Sequence, residues 1–368
     1  MLNELTKQLG DTSLEAQFVC DKAFEAQSRK LMANVNVPVK VQVIAAGKLR
    51  RYEHFKKIDY LKHPSIIATN LLDLVKIFGG FLQSVWLLLR WRPDVVFAKG
   101  GYVCLPVGFA AWLLRIPVVI HDSDAKPGLT NRLLARFAKA IATGYPLNNY
   151  HYATAKTTYT GVPVAEGYKP VSAGDQAMMK KSLGFAESDL LIVAVGGGLG
   201  AITINNAMLA AGPSLVKRSI NAVLVAGQAN LEDCTAKAKG LAPRLQVVGF
   251  VSEGMSELLG AADIVVTRAS ATVLQELAGL GKPIVAIPAR ALGDQHKNAA
   301  VYEQSDAAVI LNDDQLNEGL LEPTLLALVN DQVRCEELSH RLHEFAKPRA
   351  AVDVAAILRR VGLPGIRK

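Results

Sequence analysis

The stretch Leu190–Ile202, LLIVAVGGGLGAI, decides how this chain is read. An apolar, β-branched run stops at three glycines, then passes through Leu199, Gly200 and Ala201 into a helix-like segment. A strand with no polar alternation is buried on both faces, which is the habit of a parallel sheet. Glycine allows backbone angles and close approach that a Cβ would block. The helix that follows turns its free N–H groups and positive dipole end toward the loop. A pyrophosphate suits such a loop. Three readings stand at this point: a tight strand-to-helix turn with no ligand, a dinucleotide site whose GxGxxG spacing is not met cleanly, and a nucleotide-sugar site.

The same pattern repeats outward. Strand candidates are DVVFA (94–98), IPVVIH (116–121), LLIVAV (190–195), AVLVAG (222–227), LQVVGF (245–250), DIVVTR (263–268), PIVAIP (283–288) and AAVIL (307–311). Helical stretches such as SATVLQELAGL and QHKNAAVYEQ lie between them. The alternation predicts an α/β fold with parallel, doubly wound sheets and right-handed crossovers. It lapses between about 143 and 188, which reads as a hinge between two domains. A charged helical stretch, 332–362, ends in a short helix expected to return to the first domain. In DVVFAKGGYVCLPVGFAAWLL a strand again meets glycines, Gly100 and Gly101, before a helix. Each domain therefore offers a phosphate-sized cradle at the carboxyl end of a strand, where open α/β sheets bind ligands. A cleft with donor on one side and acceptor on the other is expected.

Bulk properties narrow the partners. With 368 residues and half of them hydrophobic, the chain has material for two ordinary domains. A net charge of +8 favours anionic partners: nucleic acid, phosphorylated small molecules or an acidic membrane. The four cysteines lie far apart without a CxxC, so neither a metal site nor a disulfide framework is indicated, and a reducing cytoplasm fits. The first twenty residues lack a signal-peptide layout. Leu71–Trp91 is apolar but interrupted by Asp73, Lys76, Gln83 and Arg90, which argues against a membrane span. Projected on a helix, Asp73, Lys76, Gly80, Gln83, Ser84 and Arg90 share one arc. The apolar arc is then about 240° wide, far more than core packing takes. Ile77, Phe78, Phe81, Leu82, Trp86 and Leu89 remain for an anionic interface, near Lys62, Lys76, Arg90 and Arg92. The alternatives are a fully buried helix, or a break at Gly79-Gly80.

One ordered set of motifs is more specific. KGGYVCLPVGFAAWLLRIPVVIHDSDAKPGLTNRLLARFA, TGVPV, VGGGLGAITINNAM, TRASATVLQELAGLGKPIVAIP and DQHKNA follow one another at characteristic spacing. The set resembles the MurG-type undecaprenyl-diphospho-muramoylpentapeptide β-N-acetylglucosaminyltransferases of glycosyltransferase family 28, over roughly residues 1–345. The resemblance implies the GT-B fold, with two Rossmann-like domains at 1–163 (acceptor and membrane) and 164–345 (donor), and a returning helix in 346–368. It implies inverting transfer of N-acetylglucosamine from UDP-GlcNAc to the C4 hydroxyl of lipid I, giving lipid II. Glu276 would accept hydrogen bonds from both ribose hydroxyls, a role for which an acceptor-only carboxylate is suited. Amides of Ala271, Thr272 and Val273, with Gly197, Gly198 and Gly200, would face the donor diphosphate. The Val251 backbone would read uracil, Gln295 would hold the sugar hydroxyls, and Asp124 and Arg268 would stand near the donor. Gly100, Gly101 and Tyr102 would form the acceptor pyrophosphate loop, with Ile77, Phe78, Phe81, Leu82 and Trp86 in the membrane. No metal is implied, since helix dipoles stand in for a cation and no DxD ends a strand; Mg2+ is admitted only from solution. No nucleic-acid partner is expected, and the location implied is the cytoplasmic face of the plasma membrane, peripherally.

The chain departs from the family at four places. Asp124 stands for an asparagine, Gly198 for a serine, and Ala165 for an arginine that would neutralise the diphosphate, a loss that leaves either a lower donor affinity or a substitute such as Arg268 as the expectation. The first strand and its GGxGGH loop are missing, and with them the general-base histidine. Strand neighbours in the sheet would then carry unpaired backbone groups, and we read the chain as N-terminally truncated through a misassigned start. The catalytic base is left unknown, with His121 and Asp122 as weak candidates. Two further functions stay open: another lipid-directed GT-B transferase, such as a diacylglycerol glycosyltransferase, and an inactive nucleotide-sugar or lipid-binding homologue.

Overall fold

The computed structural model describes residues 1–10, 14–48, 64–197, 200–290 and 292–363. The chain forms two compact units, Met1–Pro163 with Arg349–Lys368, and Val164–Pro348.

The first unit holds two parallel sheets. β1 (Ala16–Cys20) pairs with β2 (Val39–Val43), and β3 (Val96–Ala98), β4 (Val118–Asp122), β5 (Ala140–Thr143) and β6 (Thr157–Tyr159) form a four-stranded sheet in that order. Among the described residues no strand joins the two sheets. The central strands β4 and β5 are buried on both faces, as their apolar sequences require. Val118 and Ile120 face one cluster with Leu88, Val107 and Leu134. Val119 faces the opposite cluster, with Leu5, Val354 and Leu358. That second layer consists of the helices Leu2–Leu9 and Ala350–Gly362, from the two ends of the chain, tied by Gln8 Nε2 donating to Val352 O at 2.9 Å. The expected hinge at 143–188 is resolved into parts: β6 completes the first sheet, and the helix Ala173–Ser182 belongs to the second unit. β2, β5 and β6 escaped the sequence reading because VKVQV and TTY carry too few apolar residues and AIAT is short.

The second unit is one six-stranded parallel sheet. Its order is β12 (Val309–Ile310), β11 (Ile284–Ile287), β10 (Ile264–Arg268), β7 (Leu191–Val195), β8 (Asn221–Val225), β9 (Leu245–Val248). The chain winds from β7 out to β9, then crosses back to start the other half at β10. The strand order therefore reverses between β7 and β10, which pair from Ile192↔Ile264 to Val195↔Thr267. Ile204, Met208 and Leu215 of the helix Ile202–Lys217 pack on this sheet with Leu325 and Leu338.

The helix Pro64–Trp91 runs unbroken through Gly79-Gly80. Its burial corrects the sequence projection. Asp73, Gly80 and Ser84 form the inward face together with Leu87 and Leu88. Glycine is required at 80, where a Cβ would lie 1.9 Å from Ala45 O. Small and polar residues beside Leu87 and Leu88 thus bring this helix close to the protein, and most of its other large apolar residues are left outside. Phe78, Leu82 and Trp86 are 53–65% exposed, as expected, but Ile77 and Phe81 are half-buried and Phe81 packs on the core. Lys62 lies outside the described residues.

Gly80→Ala is expected to cost about 1–3 kcal/mol through this contact. Gly79→Ala, whose Cβ would meet nothing nearer than 4.0 Å, is expected to be neutral or to gain up to about 1 kcal/mol. Thermal unfolding of the two variants checks it; equal midpoints would contradict the packing.

Candidate functional site

The reversal between β7 and β10 sets the donor-side geometry. Each strand ends in a turn that starts a helix, Ile202–Lys217 after β7 and Ala271–Leu280 after β10. The N-caps of both, Ala201 and Ser270, make no side-chain capping bond. Two sets of helix-terminal N–H groups therefore open at the carboxyl ends of adjacent strands, where α/β sheets bind phosphorylated ligands. The β7 loop needs its glycines. Gly197 and Gly200 have φ of 84° and 76°, and a Cβ on Gly200 would lie 2.1 Å from Ala226 O. Gly198 lies outside the described residues.

Glu276 sits three and four residues beyond Val273 and Thr272, so the three share one helix face. It is half-buried, and among the described residues its carboxylate has no hydrogen-bond partner. Burial pushes its pKa up to about 7. Tyr168 is a titratable group near it. A desolvated carboxylate one turn past a row of open amides can accept from a diol while the amides take a diphosphate.

Other expected residues are engaged within the protein. Arg268 Nη1 donates to Asp313 Oδ1 at 2.9 Å and to Ile287 O at 3.3 Å, and Nη2 to Thr203 Oγ1 at 2.5 Å. It is a strut joining β10, β11 and the start of the Ile202–Lys217 helix, which corrects its expected role as the cation replacing the arginine lost at Ala165. Gln295 Oε1 accepts from Ala289 N at 2.9 Å, so its carbonyl braces the loop after β11. Asn298, which the sequence reading passed over in DQHKNA, is fully buried and donates to Ala269 O at 3.2 Å, fixing the loop before Ala271. Val251 is half-buried in the segment following β9.

In the first unit the structure places Gly100, Gly101 and Tyr102 between β3 and the helix Cys104–Leu113. Gly100 has a φ of 94° and lies against Asn131. The Tyr102 hydroxyl donates to Asp21 Oδ2 at 2.5 Å, linking the ends of the two sheets. Burial, then this bond, pushes its pKa up to about 12. The weak catalytic candidates are sealed. His121 is fully buried; Nε2 donates to Gly161 O at 2.9 Å, and Nδ1 is left facing Ser123 Oγ at 3.2 Å. Burial lowers its pKa to about 4, so it is a neutral structural imidazole. Asp122 is 3% exposed and accepts from the Tyr152 hydroxyl at 2.7 Å; burial raises its pKa to about 6. Neither can reach a substrate hydroxyl as placed, which corrects their candidacy as base. Asp124 is half-buried just beyond the end of β4, in the first unit.

Known proteins carry the same two halves. Residues 26–143 match the glycosyltransferase family 28 N-terminal domain and residues 191–354 its C-terminal domain. The chain belongs to glycosyltransferase family 28. A relative from Clostridium kluyveri is 32% identical over 289 residues, 78% of this chain and 76% of its own. One from Geobacillus thermodenitrificans is 35% identical over 281 residues, 75% and 73% of the two chains. Both are named UDP-N-acetylglucosamine--N-acetylmuramyl-(pentapeptide) pyrophosphoryl-undecaprenol N-acetylglucosamine transferase. The crystal structure of Acinetobacter baumannii MurG matches with a TM-score of 0.71 and 25% identity, covering 97% of this chain and 94% of that one. The family 28 fold is GT-B, two Rossmann-like domains, and its activity is glycosyl transfer.

Arg268→Met strands Asp313, whose side chain is 13% exposed. Removing one partner of so enclosed a pair is expected to cost about 2–4 kcal/mol. Urea unfolding checks it, and a loss under 1 kcal/mol on the order of a surface pair would contradict the strut.

Proposed function

We propose that this chain transfers N-acetylglucosamine from UDP-GlcNAc to the C4 hydroxyl of lipid I, with inversion, to give lipid II. The observation that carries this reading is the pair of uncapped helix N-termini on β7 and β10 with unpartnered Glu276 one turn further on. The Gly197–Gly200 loop and the amides of Ala271–Val273 take the diphosphate and stabilise it as it departs. Glu276 takes the ribose diol, the Val251 backbone the uracil edge, and Gln295 contacts the sugar through its amide nitrogen. Gly100, Gly101 and Tyr102 hold the acceptor diphosphate. The helix dipoles supply the positive potential, and Mg2+ acts, if at all, from solution. A binding-only homologue is the second reading, favoured by the sealed state of His121 and Asp122. Radiolabelled transfer from UDP-GlcNAc to a lipid I analogue and, separately, to diacylglycerol distinguishes the readings, with calorimetry for UDP binding without turnover.

The carboxylate form of Glu276 is the one that binds a diol. With its pKa at about 7, the KM for UDP-GlcNAc is expected to fall as pH rises through 7 and to level off above it. Glu276→Gln should raise that KM about 10-fold or more and flatten its pH profile. An unchanged profile in the variant would remove Glu276 from the donor site.

The reading also places the chain peripherally on the cytoplasmic face of an anionic membrane. The helix Pro64–Trp91 is by length and composition long and apolar enough to cross a bilayer. Its buried Asp73 and Ser84 instead commit one face to the protein. The other face exposes Leu71, Leu74, Val75, Phe78, Leu82 and Trp86, flanked by exposed Lys76 and Arg90. Apolar residues dipping in beside cations is the interfacial habit. Phe78→Ser with Trp86→Ser is expected to abolish binding to phosphatidylglycerol vesicles while leaving the unfolding transition intact; undiminished flotation would exclude this surface.

A further inference from the structure

Ala226 O, the carbonyl just past the end of β8, is where the β7 glycine loop comes to rest. Ala226 N donates to Val248 O at 2.9 Å, which ties this residue to the end of β9. Gly200 lies so close to the carbonyl that a Cβ there would stand 2.1 Å from Ala226 O and 2.9 Å from Asn230 Nδ2. Gly200 N donates to Gly197 O at 2.9 Å, closing a turn between two residues held at positive φ. A shift of Ala226 O is therefore passed directly to that turn.

Two asparagines converge on the carbonyl. Asn205 Nδ2, on the helix Ile202–Lys217, donates to Ala226 O at 2.9 Å, and Asn230 Nδ2 donates to the same oxygen at 3.0 Å. Asn230 is the N-cap of the helix Leu231–Ala238. Asparagine in that position ordinarily accepts a hydrogen bond from the first turn of its helix. Here the side chain makes no capping bond and turns to Ala226 instead. Asn205 is 1% exposed, and its Oδ1 is buried with no hydrogen-bond partner among the described residues. An unpaired buried acceptor is costly. Both side chains thus give up a local gain and hold one oxygen, the one on which Gly200 is seated.

We propose that Asn230 is a positioning residue for the donor diphosphate: with Asn205 it fixes Ala226 O, and Ala226 O holds the Gly197–Gly200 turn in the shape that takes the diphosphate. The inference rests on the reading of that loop as part of the donor site. Asn230 acts on the donor only through Ala226 and Gly200.

The test is UDP calorimetry, steady-state kinetics and hydrogen exchange on the full chain carrying Asn230→Ser. Serine caps a helix about as well as asparagine and brings no charge, but it is too short to reach Ala226 O. The variant is expected to keep or raise the unfolding midpoint, weaken UDP binding and raise the UDP-GlcNAc KM about 5-fold, leave the acceptor KM unchanged, and speed exchange of the Gly200 amide. Asn230→Ala, which removes the amide and offers no cap, should show the same losses with a lower midpoint. Losses confined to Asn230→Ala come from capping alone and overturn the proposal. Parent-level UDP affinity and donor KM in both variants overturn it while leaving the transferase reading intact. A parent chain that binds no UDP removes the donor-site reading, and the proposal with it. UDP binding that weakens in Asn230→Ser, in a chain without transfer activity, supports the proposal and favours the binding-only reading.

Discussion

β7 and β10 lie side by side in one parallel sheet, although β8 and β9 come between them in the chain. That adjacency is the constraint on which the second unit depends. Parallel pairing aligns the strands so that both carboxyl ends face the same way. Each must then turn into a helix, and two helix N-termini open next to one another. The pairing is held by burial of Ile192, Ala194, Ile264 and Val266 in one core with Ile204 and Met208. The site needs no special local chemistry to concentrate positive potential there. It follows from chain direction, strand order and two N-caps whose side chains make no bond. The Arg268–Asp313–Thr203 contacts and Asn298 then fix the loops around the opening.

The first unit solves a different problem. Its sheet is sandwiched between the helices from the chain's two ends and the layer that includes Leu88 and Val107. The Pro64–Trp91 helix is attached to that layer by Leu88, Phe81 and Val85, with small or polar Gly80, Ser84 and Asp73 on the same buried face. Close approach at Gly80, with Ser84 bonding to Gly80 O at 2.6 Å, substitutes for the usual interdigitation of large side chains. The large apolar residues are thereby released to the surface. An exposed patch of this size on a folded chain calls for an apolar partner.

Much of the fold was legible because the signal was strong and local. The eight strands read from the sequence all exist, within a few residues, since unbroken Val/Ile/Leu runs bounded by Gly, Pro or Asp have no other comfortable home in a globular domain. β2, β5 and β6 were lost because their pattern is weak and their stability comes from neighbours already in place. The turn conformations of Gly197 and Gly200 and the place of Glu276 on its helix follow from local rules. The roles of Arg268, His121 and Asp122 do not, because whether a polar side chain faces a ligand or a backbone carbonyl depends on segments distant in sequence: Asp313 for Arg268, Gly161 for His121, Tyr152 for Asp122.

By itself the sequence determined the periodicities, the turns that only glycine can make, and hence parallel α/β sheets in two domains with amide-rich loops at their strand ends. Those are properties of short stretches, set by sterics and by the cost of leaving apolar strands in water. Tertiary structure alone decided which face of the Pro64–Trp91 helix turns inward and which polar groups are used up internally. Burial and partner choice are collective quantities, fixed only when remote segments pack and the dielectric around each charge is set.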